Sequence, residues 1–233
     1  MKNESRGSKA RSYLDSPDSA KLAEKACDNF FTRRGNRNAF ISGLKAQDEC
    51  VTIKGLLKNL DFKVTGVSCN SKLTRPGNIF VAIKGARLDG AAYIDEAVKR
   101  GAKAVISEGP VRASGFCASP VLIRVKDARK ALGELASQFY NDPSAKIKVV
   151  GVTGTNGKTT ITYLLESLLK ERNLVPAVIG TINYRFKGKA FPSKNTTPGP
   201  CELQALLADM LKAGVDYCVM EVSSHALQQE RVR

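Results

Sequence analysis

The chain contains a single histidine and no Cys-x-x-Cys pair, which leaves no set of ligands with the spacing of a structural zinc site. Its six cysteines (Cys27, Cys50, Cys69, Cys117, Cys201 and Cys218) are widely scattered. They read as reduced thiols, because a disulfide framework would need an oxidising compartment. No stretch reaches the roughly 18 uninterrupted apolar residues of a membrane-spanning helix, and residues 1–30 hold no apolar core of a secretory signal. These absences point to an intracellular, cytoplasmic protein with no membrane partner. Acid is scarce: 22 Asp and Glu stand against 37 Lys and Arg, a formal charge of +15. That balance favours anionic partners such as nucleotides, nucleic acid or acidic membrane surfaces, and by itself does not choose among them.

What is present is a chain of 233 residues with 42% hydrophobic content, enough for one sizeable core or two small domains. Residues 1–50 are rich in Ser, Arg, Lys and Asn, have short apolar clusters and show no sustained period of 2 or 3.6. They read as a basic, poorly ordered extension. Glu4, Asp15, Asp18, Glu24 and Asp28 supply more acid than an organellar transit peptide usually carries, so a solvated tail or a misassigned start fits better.

Organised patterning begins at Val51. A short amphipathic segment, Ile53 to Leu60, precedes a strand-like run from Phe62 to Val67 and a second from Ile79 to Ile83. Tyr93 to Arg100 reads as a helix closed by Gly101. Two more short strands follow, Ala104–Ile106 and Val121–Val125. From Asp127 to Tyr140 the apolar residues Ala128, Ala131, Leu132, Leu135, Ala136 and Phe139 form the stripe of a one-faced helix. Asn141-Asp142-Pro143-Ser144 ends it as an inter-domain hinge. The organisation expected is thus 1–50 extension, 51–143 N-terminal domain and 144–233 second domain.

The second domain reads strand (Ile147–Val152), helix (Lys158–Arg172), strand (Ala177–Thr181), helix (Glu202–Lys212), strand (Tyr217–Val222). That alternation is the pattern of a doubly wound parallel sheet, so the fold class is α/β throughout. Ile161, Leu164, Leu165, Leu168 and Leu169 are read as the buried face of the first of these helices. No internal repeat is found.

Between the first strand and helix lies Gly154-Thr155-Asn156-Gly157-Lys158-Thr159-Thr160, the context of a phosphate-binding loop. Glycines let backbone N–H groups converge on phosphate oxygens, Lys158 reaches terminal phosphates and the Thr159 hydroxyl suits Mg²⁺. The spacing departs from G-x-x-x-x-G-K-[ST]: the position of the first glycine is Val152, with Gly151 one residue early and Gly154 inside the loop.

With Thr153 in front of it, that loop resembles the nucleotide loop of the Mur ligases, the ATP-dependent enzymes that add amino acids to the UDP-N-acetylmuramoyl-peptide precursor of bacterial cell walls. Folylpolyglutamate synthase shares the loop. Asn195-Thr196-Thr197-Pro198 and Met220 to Leu227 are similar to motifs of the family branch that adds the third peptide residue. Ser71 to Ala82, with Gly85, Asp89-Gly90 and Gly101 to Val105, resembles its UDP-binding domain. The likeness runs from about Val51 to Arg233.

The resemblance implies a small N-terminal α/β UDP-binding domain followed by an incomplete phosphate-loop domain, with ATP and Mg²⁺ as cofactors. Gly154, Thr155, Asn156, Gly157, Lys158, Thr159 and Thr160 would hold ATP; Thr159 and Glu221 would hold Mg²⁺, and Lys158 and Glu221 would be catalytic. Asn195, Thr196, Thr197, Ser223, Gln229 and Arg231 would contact UDP-N-acetylmuramoyl-L-alanyl-D-glutamate, and Ser71 its uridine part. The family's Asp-Ser-Arg reads Asn70-Ser71-Lys72 here, and Lys lacks the planar fork of Arg. Cys69 beside it reads as a small buried residue, with a place in the pocket as the alternative. His225 reads as a structural residue near a helix start.

The reaction implied is phosphorylation of the terminal carboxylate of the dipeptide by ATP, then attack of an amino acid amine on the acyl phosphate. The family continues past Arg233 into a domain that selects the amino acid, so this chain by itself is expected to bind weakly and not to ligate, as a fragment, a truncated frame or one part of a split enzyme. Two rivals are a folylpolyglutamate-synthase-like enzyme and a non-catalytic basic module for nucleic acid. The first has no counterpart to Asn195–Pro198, and no recognition-helix or RNA-binding signature supports the second.

Overall fold

The structure, a computed structural model, describes residues 53, 55–85, 88–111 and 120–232. The segment read as a basic extension lies outside the described residues. Two sheets organise the rest.

The first sheet is built from β1 (Gly66–Ser68), β2 (Asn78–Val81), β3 (Ala104–Ser107) and β4 (Val121–Arg124), in the order β1-β2-β3-β4. All neighbours are parallel. Helices α1 (Leu56–Asn59), α2 (Ile94–Lys99) and α3 (Ala128–Phe139) complete it. Because strand side chains alternate, Ile79, Val81, Ala104 and Ile106 enter one core with Leu132 and Leu135 of α3. Phe80, Ala82 and Val105 enter another with Ile94 and Ala97 of α2. A strand buried on both faces has no use for polar alternation, which is why β2 and β3 read as continuous apolar runs. Asp127 starts α3 by accepting hydrogen bonds from the N–H groups of Arg129 and Lys130, each at 3.0 Å. The first strand begins later than the run Phe62–Val67 suggests. Val64 is buried in the core, but ladder pairing with β2 starts only at Gly66.

The second sheet has the order β5-β9-β6-β7-β8. Its parallel part consists of β5 (Lys148–Val152), β9 (Tyr217–Glu221) and β6 (Pro176–Ile179). Helix α4 (Lys158–Glu171) follows β5, α5 (Pro200–Lys212) precedes β9 and α6 (Ser224–Gln228) follows it. On one face Ala177, Ile179, Cys218 and Met220 pack with Leu203, Leu206, Leu207 and Met210 of α5. A strand–helix–strand reading of this region misses an antiparallel hairpin, β7 (Asn183–Phe186) and β8 (Lys189–Pro192). Its turn is Lys187-Gly188, both with positive φ (48° and 74°), as a tight two-residue hairpin requires. A lysine in that place hides the turn from a search for Asn-Gly or Asp-Gly.

The expected buried face of α4 is corrected by the structure. Ile161, Leu164 and Leu168 are 44%, 55% and 58% exposed, whereas Thr162 and Glu166 are 0% and 9% exposed. The helix is oriented by polar ties at its start and middle, described below, and those ties turn Thr162 and Glu166 toward the sheet. Strand β5, next to which the helix begins, pairs on one side only among the described residues. No helix among the described residues is long and apolar enough to cross a membrane. An exposed apolar stripe beside a strand edge promotes self-association. Leu164→Glu combined with Leu168→Lys should therefore reduce concentration-dependent association in sedimentation velocity, while shifting unfolding free energy by no more than about 0.5 kcal/mol per substitution.

Candidate functional site

The loop between β5 and α4 brings Gly157 to φ 79°, in the left-handed region, so that its successor Lys158 opens the helix. The Lys158 ammonium folds back over the loop and donates to the carbonyls of Gly154 (2.8 Å) and Thr155 (3.4 Å). Gly154, Thr155, Asn156 and Thr160 are exposed and Thr159 is half-buried. The offset glycine spacing noted above is thus compatible with a working strand–loop–helix turn: the loop turns on Gly154 and Gly157 and needs no glycine at Val152.

Facing the loop, Glu221 closes β9, hydrogen-bonded in register with Val152 at the end of β5. Its carboxylate is buried, at 2% exposure for the residue, and three neutral donors hold it. The Thr159 hydroxyl lies 3.1 Å from both oxygens, the Thr181 N–H donates to Oε1 at 3.1 Å, and the Thr181 hydroxyl donates to Oε2 at 3.0 Å. No Lys, Arg or His side chain pairs with Glu221 among the described residues. Gly180 is required by closeness: a Cβ there would come within 2.3 Å of Glu221 Oε1. A buried carboxylate served only by neutral donors, beside a second hydroxyl oxygen, is a donor set that suits a hard divalent cation. Thr159 and Glu221 were both readable from sequence. Thr181 and Gly180 were not, because a Gly-Thr pair at the end of a strand carries no signal until the neighbouring strand brings a carboxylate to it.

The Asn195–Pro198 stretch lies against the same carboxylate. Thr196 Oγ1 is 3.0 Å from Thr181 Oγ1. The Thr197 side chain, at 1% exposure, donates to the Glu221 carbonyl at 2.8 Å and accepts from the Ser223 N–H at 3.1 Å. Asn195 presents an exposed side chain, while its carbonyl accepts from Tyr184 Oη at 2.7 Å and Ser193 Oγ at 2.8 Å. Arg231 donates to the Thr197 carbonyl at 3.1 Å and, by two nitrogens, to Gln229 Oε1 at 3.0 and 2.7 Å. Ser223 caps α6 by accepting from the Ala226 N–H at 3.2 Å. The fold therefore gathers Lys158, Thr159, Thr196, Thr197, Glu221, Ser223, Gln229 and Arg231 from separate parts of the sequence. His225 is the second residue of α6 and exposed.

Ser71 stands apart, in the first sheet's half of the molecule. It opens a 3₁₀ turn, is 5% exposed, and donates to Glu96 Oε2 at 2.6 Å; Glu96 also pairs with Arg100 at 3.2 Å. The Ser71 hydrogen bond, ahead of Arg100, holds the Glu96 carboxyl below its ordinary value. Cys69 next to it is surface-exposed, not the small buried residue that the sequence suggests. At the carboxyl ends of β2 and β3 lies a cavity of about 480 Å³, lined in part by Lys84, Asp89, Asp95, Ser107 and Glu108. That is the end of a parallel sheet at which ligands bind. Of those five side chains only Asp89 belongs to the stretches that resemble the UDP-binding domain.

A charged cluster joins the hairpin to the loop-bearing helix. Glu166 on α4 accepts from Lys170 Nζ at 2.8 Å and from Arg185 Nε on β7 at 3.0 Å, and the Arg185 guanidinium lies 4.1 Å from the centre of the Tyr163 ring. These are the ties that turn Glu166 inward.

Strand, Gly-Lys-Thr loop and helix in this geometry place the second sheet among the phosphate-loop α/β proteins. Comparison with known proteins narrows the class. Residues 63–140 match the Mur ligase family catalytic domain and residues 152–233 the Mur ligase middle domain. The UDP-N-acetylmuramoyl-L-alanyl-D-glutamate–2,6-diaminopimelate ligase of Geobacter sulfurreducens is 46% identical over 174 residues, covering 75% of this chain and 34% of that protein. The ligase of the same name from Caldanaerobacter subterraneus subsp. tengcongensis is 41% identical over 180 residues, 77% of this chain and 36% of that protein. A solved structure of a ligase with this name superposes with a TM-score of 0.64 at 27% identity, covering 79% of this chain and 38% of the other. The chain belongs to the Mur ligase family, of which it carries those two domains, and it spans about a third of the length of the curated relatives it matches.

Burial by itself would raise the Glu166 carboxyl, but the hydrogen bonds and charges of Arg185 and Lys170 outweigh it and hold it below the ordinary 4.5. A depressed carboxyl stabilises the fold above its unfolded value and loses that contribution as pH falls through the folded one. Glu166→Gln should cost about 1–3 kcal/mol at neutral pH, and in urea titrations the difference from the parent should shrink as pH drops below 4.5.

Proposed function

We propose that this chain supplies the nucleotide loop and the precursor-binding part of a ligase of peptidoglycan synthesis, one that adds the third amino acid to UDP-N-acetylmuramoyl-L-alanyl-D-glutamate at the expense of ATP. In the named relatives that amino acid is 2,6-diaminopimelate. The observation that carries the reading is the pairing of Thr159 with the buried carboxylate of Glu221, held among the described residues by neutral donors, at the mouth of the Gly154–Thr160 loop.

In this reading the loop N–H groups and Lys158 hold the ATP phosphates, and Lys158 leaves the carbonyls of Gly154 and Thr155 to meet the terminal phosphate. Thr159 and Glu221 hold Mg²⁺, which when bound neutralises charge on phosphate oxygens. The precursor's carboxylate is presented to the γ-phosphoryl group from the side of Thr196 and Asn195, whose side chains are accessible. Thr197, Ser223, Gln229 and Arg231 act mainly by fixing that strip, since the Thr197 and Ser223 side chains are occupied within the protein and Arg231 is anchored to Thr197 and Gln229. Holding carboxylate and phosphoryl group in line is the larger part of catalysis in such a transfer. We assign residues 51–143 to binding of the UDP moiety, with Ser71 and the cavity beside Ser107 as its place, and residues 144–233 to ATP. The +15 charge suits two polyanionic ligands.

Calorimetric titration tests both halves. ATP with Mg²⁺ and the UDP-linked dipeptide should each bind the chain, and Lys158→Ala should weaken ATP at least about tenfold while leaving the UDP ligand unchanged. Binding of a folate without a UDP-sugar, or salt-sensitive nucleic-acid binding that survives Lys158→Ala, would overturn the reading.

A further inference from the structure

We propose that Thr181 is a positioning residue of this site, its hydroxyl orienting the Glu221 carboxylate for the cation and linking it to Thr196 on the precursor side. The proposal rests on the nucleotide-binding reading above and extends it to a residue outside every recognisable motif.

A threonine hydroxyl has one proton and two lone pairs. Glu221 Oε2 lies 3.0 Å from Thr181 Oγ1 and Thr196 Oγ1 lies 3.0 Å from the same atom. With the carboxylate ionised, the charge-assisted bond takes the Thr181 proton. Thr181 must then accept from Thr196, so the three groups form one directed chain, Thr196 to Thr181 to Glu221, in which each bond polarises the next. The Thr196 proton is committed by this chain, so Thr196 can only accept from an N–H or O–H of an incoming ligand, and Asn195 is the side chain of this strip left to donate to the precursor's carboxylate.

Position supports the same role. Thr181 follows β6 directly after Gly180, the residue that lets the carboxylate approach to a distance no Cβ would allow. Its backbone N–H holds the other oxygen, Oε1. One residue thus grips both carboxylate oxygens, which fixes the plane of the carboxylate. Thr181 itself is exposed, so nothing in the core requires its hydroxyl.

The test compares Thr181→Val, which keeps shape and N–H but removes the hydroxyl, with Thr181→Ser, which restores it. ADP affinity is measured by calorimetry with and without Mg²⁺. In Thr181→Val the Mg²⁺-free affinity should stay within about twofold of the parent, while the tightening produced by Mg²⁺ should fall about tenfold, the worth of one hydrogen bond to a charged group. Thr181→Ser should recover it. A normal Mg²⁺ effect in Thr181→Val, or equal loss in Thr181→Ser, overturns the proposal. Failure of the parent chain to bind ADP at all would sink the nucleotide-binding reading instead. In that event the hydroxyl–carboxylate link is still decided by a thermal-unfolding cycle of Thr181→Val and Glu221→Gln: non-additive midpoint shifts support it and additive shifts refute it.

Discussion

A carboxylate removed from water and, among the described residues, paired with no cationic side chain is the constraint around which the second sheet is arranged. Glu221 sits at 2% exposure, and an ionised group in that position is costly unless its oxygens are satisfied. The surroundings meet that demand with neutral donors only: one hydroxyl from the start of α4, and an N–H and a hydroxyl from the turn after β6. To deliver them, β5 and β6 must flank β9, α4 must begin where Thr159 can reach across, and residue 180 must lack a side chain. Among the described residues no cationic side chain offsets that negative charge, an arrangement that suits a hard divalent cation.

The same residue organises the other side of the crevice through its backbone. The Glu221 carbonyl accepts from Thr197, Thr197 accepts from Ser223, and Arg231 reaches back to the Thr197 carbonyl. The loop after β8, the end of β9 and the turn after α6 are therefore one hydrogen-bonded unit. Glu166 and Arg185 add a second connection, from the hairpin to the helix that carries the phosphate loop.

Much of the architecture was legible. Helix α3 announced itself by its stripe and by Asp127 before it, and β2, β3 and β6 by short apolar runs bounded by turns. The hairpin was not, because its four-residue strands carry Asn, Arg and Lys and its turn uses Lys187 in a left-handed conformation. The α4 stripe misled for a different reason. Periodicity shows that one side of a helix is apolar, but the side that faces the sheet is set by Thr159 and Glu166, polar residues whose partners lie 62 and 19 positions away. Within the site, Lys158, Thr159, Glu221 and the Asn195–Thr197 strip carry recognisable local patterns, whereas Thr181, Gly180 and Glu166 carry none.

The amino-acid order alone determined the α/β class, the phosphate loop and the family, because each is written in contiguous residues: alternation of strand and helix, a Gly-Lys-Thr turn, short motifs. Tertiary structure decided which of those residues meet and which are free to act. It took the Thr197 side chain out of the crevice and put Thr181 into it, and it turned Leu164 and Leu168 of α4 outward. The physical reason is that a hydrogen bond to a buried charge depends on a distance of about 3 Å between atoms far apart in the chain, and no local pattern specifies that distance.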